Sequence, residues 1–142
     1  MSGRIACVFF FATFLSAKQR PNILFLFADD QRADTIAAHG NPHIQTPHLD
    51  SLAEEGFSFL RNYCAGSFSG AVCVASRAML MTGQHWMTLP SEKPQANWGN
   101  NLTLPALLEK SGNYQSFIIG KWHNGKNTLD RSFANGRSVY MG

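Results

Sequence analysis

The chain has 142 residues, one domain or part of one, and 44% of them are hydrophobic, including 11 Phe, enough for a core and too apolar for a disordered tail. The formal net charge of +3 is small and unclustered. With no Lys/Arg run and no basic stripe interleaved with aromatics, nucleic acid is not an expected partner.

Residues 1–17 read as a secretory signal: Arg4 supplies the positive start, an apolar run holds three consecutive Phe, and Ser16-Ala17 offers small residues for cleavage. The run falls short of the ~20 residues a membrane span needs, so export without a stable span is the expectation. Cleavage removes Cys7 and leaves Cys64 and Cys73, which an exported chain could join as a disulfide. No C-x-x-C is present, and the cysteines do not suggest a zinc site.

Pro21-Asn22 opens a continuous apolar run, Ile23-Leu24-Phe25-Leu26-Phe27-Ala28, which suits a strand buried on both faces of a parallel sheet. It ends at Asp29-Asp30. Ligand crevices of open α/β sheets lie beyond the carboxyl ends of strands, so these adjacent carboxylates are placed to hold a hard cation. The plainer reading is a solvated turn in which one Asp caps a helix.

His39, His43 and His48 lie close in sequence, but Pro42 and Pro47 break any shared helical face, and a surface loop is predicted. A helix follows to Gly56, with Thr46 as cap, Pro47 in the first turn, and Leu49, Leu52 and Ala53 on one face. Residues 57–63 have strand character. They lead into a flexible run, residues 65–71, rich in Gly and Ser.

Next comes Cys73-Val74-Ala75-Ser76-Arg77-Ala78-Met79-Leu80-Met81-Thr82-Gly83, with a helix predicted from near Ser76 and closed by Gly83. Cys73 then stands just before a helix N-terminus, where unpaired N–H groups and the dipole favour an activated cysteine and a tetrahedral anion. Arg77, one turn in, adds a guanidinium fork suited to sulfate or phosphate oxygens.

Beyond Gly83 a polar stretch containing Pro90, Pro94 and Trp98 reads as a long connection, and Asn101-Leu102-Thr103 matches a glycosylation sequon relevant only to a eukaryotic secretory route. A helix is predicted over residues 104–110, with Pro105 in its first turn and Gly112 past its end. Residues 114–119 form a second buried-strand candidate, ending at Gly120-Lys121-Trp122-His123. Lys121 offers a compact cation and His123 an imidazole that exchanges protons near neutral pH. Residues 124–142, Gly- and Asn-rich, are predicted irregular.

These motifs together resemble the type I sulfatases. Cys-x-Ala-Ser-Arg with Leu80-x-Thr82-Gly83 is similar to that family's signature, which carries Pro where Ala75 stands. The Asp29-Asp30 pair after the first strand, the Thr46-Pro47-x-Leu49-Asp50 helix and Gly120-Lys121-Trp122-His123 resemble further family segments. The resemblance implies an alkaline-phosphatase-like α/β fold, a mostly parallel sheet flanked by helices, with residues 21–142 as the N-terminal part of a catalytic domain. It implies that a formylglycine-generating enzyme converts Cys73 to formylglycine. It also implies a metal, calcium first and magnesium as the alternative, ligated by Asp29, Asp30 and the modified Cys73.

In the reaction so implied, a hydrated aldehyde attacks sulfur and displaces the alcohol, then expels sulfate. His123 takes the proton, Lys121 and His123 bind the sulfate, and Arg77 holds the hydrate. The substrate would be a sulfated small molecule or glycan met after export. Asp29, Asp30, Cys73, Arg77, Lys121 and His123 are therefore expected in one cleft. Two other readings stay open: a phosphate or phosphonate ester hydrolase of the same superfamily, and a non-catalytic remnant closed by Cys64–Cys73. The family's second acidic pair and its further His and Lys are not located here, so this chain alone is expected to hydrolyse sulfate esters poorly or not at all.

Overall fold

The computed structural model describes residues 20–66, 72–89 and 98–142. The export segment, most of the flexible run before Cys73, and Pro90 and Pro94 of the long connection lie outside the described residues. In chain order come α1 (Pro47–Glu55), α2 (Cys73–Thr82), α3 (Leu104–Gly112), β1 (Phe117–Lys121), α4 (Lys126–Ser132) and β2 (Asn135–Tyr140). Short 3-10 turns lie at Ala37–His39 and Trp86–Thr88.

β1 and β2 pair in parallel, and α4 makes the crossover that a parallel pair requires. This is an α/β arrangement, a single βαβ unit with helices against it. The ladder runs from Phe117↔Asn135 to Lys121↔Tyr140 and slips after Ile119, so that Ser138, at φ 51°, bulges out of register. Gly136 faces Ile118 so closely that a Cβ there would lie 2.9 Å from Ile118 Cγ2 and 3.3 Å from its carbonyl oxygen. Beyond the ladder, Trp122 N–H donates to the Tyr140 carbonyl at 2.9 Å.

The core forms where α2 meets this unit. Ala78, Leu89, Trp98 and Trp122 are buried, with Met81, Ile118, Leu129, Phe133 and Val139 packed around them. The Trp98 and Trp122 rings stand 5.5 Å apart, and Phe133 meets Trp122 edge-on at 5.7 Å. Trp122 is the residue after Lys121, so packing its ring also anchors the end of β1.

Helix boundaries follow local chemistry. Gly83, at φ 67°, turns α2 off in the left-handed conformation and donates its N–H to Met79. Asn113, at φ 55°, does the same for α3, whose last residue is Gly112, two beyond the predicted end. Pro47 opens α1 as predicted, yet Thr46 makes no side-chain cap there. Its hydroxyl instead accepts from Ala37 N–H and donates to Asp50, at 2.8 Å each, lashing α1 to the first 3-10 turn. The Leu49–Leu52 face of α1 stays exposed, as do His39, His43 and His48.

Four sequence expectations are corrected. Residues 23–27 form no strand, and every one of them is exposed. Residues 57–63 form none either, with Phe57 96% exposed. A strand exists only through its ladder partner, and the sheet among the described residues holds β1 and β2 alone. The second strand is not buried on both faces: Phe117 and Ile119 point outward while Ile118 packs inward. Residues 124–142 are not irregular but carry α4 and β2. α4, six polar residues and Leu129, is held by a Lys126–Asp130 pair at 2.6 Å, by the Thr128 hydroxyl on the Asn124 carbonyl, and by Ser132 Oγ on the Thr128 carbonyl at 2.7 Å.

Candidate active site

α2 begins at Cys73 itself, three residues before the predicted start. Cys73 is thus the first helical residue, and the first helical hydrogen bond is Ser76 N–H to the Val72 carbonyl at 2.8 Å. Ala75 precedes that bond, so its N–H is one a proline could omit without losing a helical bond. The helix offers its unpaired N–H groups beside the thiol.

Two other chain segments arrive at this helix end. From one, ligand atoms of Asp29, Asp30 and Cys73 all lie within 4.8 Å of one another. Adjacent side chains in an extended chain point opposite ways, and Asp30 takes φ 50°, a left-handed turn that Asp tolerates, to bring both carboxylates to one place. From the other, at the carboxyl end of β1, Lys121 Nζ donates to Asp29 Oδ2 at 2.7 Å and to Cys73 Sγ at 3.6 Å.

Arg77 lies almost wholly buried beneath them. Its Nε donates to the Lys121 carbonyl at 3.2 Å and its Nη1 to the Cys73 carbonyl at 3.3 Å. Nη1 also lies 3.5 Å from Asp29 Oδ1, and the guanidinium sits over the Phe27 ring at 5.1 Å. The guanidinium is thus the fastener of the site: it ties the Cys73 turn, the end of β1 and the Asp29 segment to one rigid plane.

The charges answer one another. The Lys121 hydrogen bond holds the Asp29 carboxyl below its ordinary 3.8, with Arg77 and Cys73 helping and partial desolvation opposing. In return, the hydrogen bond to Asp29 raises Lys121 above its ordinary 10.5, with the Asp29 and Cys73 charges helping and desolvation opposing. Both groups are charged across the neutral range.

Five of the six expected residues converge: Asp29, Asp30, Cys73, Arg77 and Lys121. His123 stands two residues beyond Lys121 at φ 61°, its ring against Gly142 and its Nδ1 buried without a partner among the described residues. Among the described residues no hydrogen bond joins it to Cys73, Asp29 or Asp30. Cys64 and Cys73 are free thiols, so the disulfide alternative is not realised. Sequence reasoning missed Asn124, wholly buried, whose amide donates to the Val74 carbonyl at 3.2 Å and faces the Trp122 carbonyl at 3.4 Å. Its only sequence signal was a polar residue directly after Gly-Lys-Trp-His, in a segment read as irregular.

The donor set is chemically specific. Two carboxylates suit a hard cation such as calcium or magnesium, whereas a thiolate does not, so the set fits such an ion once an oxygen replaces sulfur at Cys73. Asp29 keeps lone pairs free on both oxygens beside its Lys121 and Arg77 contacts.

A family model described as Sulfatase matches residues 21–139. An N-acetylglucosamine-6-O-sulfatase of Bacteroides thetaiotaomicron is 37% identical over 107 residues, 74% of this chain and 18% of that protein. A human N-acetylgalactosamine-6-sulfatase is 37% identical over 123 residues, 77% of this chain and 23% of its own length. Human arylsulfatase D is 32% identical over 124 residues, 79% of this chain and 20% of that protein. The chain spans about a fifth of the length of these curated relatives.

Proposed function

The chain belongs to the sulfatase family, and from that premise we propose that it supplies the nucleophile-bearing part of a sulfuric ester hydrolase. The observation that carries this reading is the meeting of Asp29, Asp30 and Cys73 within 4.8 Å at the start of α2, with Lys121 Nζ in contact. Its fold is the opening of an alkaline-phosphatase-like α/β domain.

Asp29 and Asp30 are the metal ligands, with the side chain at Cys73 as the third. When present, calcium, or magnesium in its place, neutralises sulfate oxygens, and formylglycine made from Cys73 by a formylglycine-generating enzyme supplies an oxygen nucleophile. Lys121 places a compact cation beside the nucleophile, where it attracts the sulfate and opposes charge building on its oxygens. Arg77 keeps the Cys73 turn and Asp29 from separating while the substrate binds. His123, two residues past Lys121, is carried as proton acceptor and second sulfate contact on the family motif alone, since its ring packs against Gly142 and makes no hydrogen bond to Cys73, Asp29 or Asp30 among the described residues. The α2 N-terminus adds N–H donors that favour a tetrahedral anion.

The relatives' names include both hexosamine 6-sulfatases and arylsulfatases, so the substrate class is a sulfated glycan or small aryl sulfate, met after residues 1–17 direct the chain out of the cell. No helix among the described residues is long and apolar enough to cross a membrane.

The test is made on protein carrying this region, co-expressed with a formylglycine-generating enzyme. Mass spectrometry of the Cys73 peptide is expected to show the aldehyde. Matched sulfate and phosphate esters are then compared with and without calcium. Metal-dependent turnover of the sulfate ester, abolished in Cys73→Ala, is the expected result. Turnover of phosphorus esters alone would replace the reading with a phosphohydrolase, and an inactive protein with an unconverted thiol would end it.

A further inference from the structure

Two side chains bridge the same pair of segments one residue apart. Arg77 donates to the carbonyls of Cys73 and Lys121, at 3.3 and 3.2 Å. Asn124 reaches the carbonyls of the next residue on each side, Val74 at 3.2 Å and Trp122 at 3.4 Å. Carbonyls cannot bond one another, so where those of the first turn of α2 and the end of β1 face each other, donors must come from side chains. Guanidinium and carboxamide are those donors.

Asn124 is an expensive choice for a merely structural role. It is fully buried, and its Oδ1 has no hydrogen-bond partner among the described residues. An orphaned buried acceptor costs about 1–3 kcal/mol, which an apolar side chain of similar size would not. Turning the amide over gives no relief, because it would set the oxygen against two carbonyls. Val74 also lies within α2, so its carbonyl does not depend on Asn124 for a partner. The stability gained from Asn124 is therefore small, and what it adds is a fixed distance between the residues beside it.

We infer that Asn124 is a positioning residue that sets the approach of Lys121 to the nucleophile at Cys73. It touches neither metal nor substrate. The inference rests on the proposed roles of Cys73 and Lys121, and its test is independent of sulfate-ester turnover.

The protein is purified from a host without the modifying enzyme, so that Cys73 remains a thiol. Its alkylation by iodoacetamide is followed by mass spectrometry, with exposed Cys64 as internal reference. Lys121→Met in the otherwise natural sequence is expected to slow alkylation of Cys73, because Lys121 Nζ lies 3.6 Å from its Sγ. In Asn124→Leu that Lys121 dependence is expected to be lost, and the Cys73 rate to fall at least about threefold, as for contacting residues that act as a unit. The Cys64 rate and the melting temperature stay within error. If Asn124→Leu does not fold, Asn124→Ser replaces it, with a hydroxyl too short to reach both carbonyls. An unchanged Cys73 rate with full Lys121 dependence in the folded variant overturns the inference. A lost dependence in a protein that turns over no sulfate ester keeps Asn124's role and removes the sulfatase reading. A kept dependence in an active sulfatase does the reverse.

Discussion

Asp29 sits between two cations, and its ionisation defines the pH range over which the site stays assembled. Its pKa is lowered, so its contribution is present above 3.8 and is lost as pH falls through the lower folded value. Lys121 is raised, so its contribution is present below 10.5 and lost as pH climbs through the higher folded value. In Asp29→Asn the ammonium loses its main support. The Lys121 titration, followed by NMR on methylated lysines, is expected to move back toward 10.5. Arg77→Lys tests the fastener. An ammonium cannot span two carbonyls and a carboxylate from one plane, and hydrogen bonds from a charged group are worth roughly 1.5–3 kcal/mol. A loss of about that size in urea unfolding is expected, and a variant as stable as the natural protein would show that the fork is not needed.

At the scale of elements, the site depends on keeping the βαβ unit against α2 and α3. Glu109, on α3, accepts from Ser116 N–H at 3.1 Å and from the Ser116 hydroxyl, whose oxygen in turn accepts from Ala134 N–H at 3.0 Å. One carboxylate thus gathers α3 and the starts of both strands. Those bonds, the Ser116 hydroxyl first, hold Glu109 below its ordinary 4.5 against partial desolvation. The clasp is therefore complete above 4.5 and releases as pH falls through the lower folded value. Glu109→Gln is expected to flatten the acid limb of the stability–pH curve and to speed amide exchange in β1 and β2 at neutral pH. Identical acid limbs in the two proteins would remove Glu109 from this role. Gly83→Ala probes the end of α2: a Cβ in the left-handed conformation costs roughly 1–2 kcal/mol, with no clash to add to it.

For the molecule as a whole, an aromatic core supports one side of the site and exposed apolar chain lies on the other. Trp122 joins the two, since its ring packs in the core and its backbone continues Lys121. Trp122→Ala is expected to cost about 3–5 kcal/mol and to release the Lys121–Cys73 contact with it. On the other side Leu24 is 82% exposed, Phe57 96% and Phe59 81%, a larger apolar surface than an isolated soluble chain tolerates. These 142 residues expressed alone are expected to bind a hydrophobic dye and to self-associate, and Leu24→Ser with Phe57→Ser and Phe59→Ser is expected to reduce both. A monomer by light scattering with no dye binding would contradict that.

What could be read from residue order was whatever short-range chemistry governs. Pro47 and Gly56 bound α1, Gly83 ends α2, and Cys73, Arg77, Lys121 and the Asp29-Asp30 pair announce themselves by their chemistry and by resemblance to a family motif. What needed the tertiary structure was whatever depends on a partner distant in sequence. Residues 23–27 have a strand's composition but no ladder neighbour among the described residues, whereas the unpromising Asn135–Tyr140 is a strand because β1 lies beside it. Trp98 looked like loop and is core, because only packing can tell where an aromatic ring is covered. Asn124 is the sharpest case. Its neighbours in sequence gave it no task, and it acquires one because Val74, fifty positions earlier, ends up within 3.2 Å of its amide.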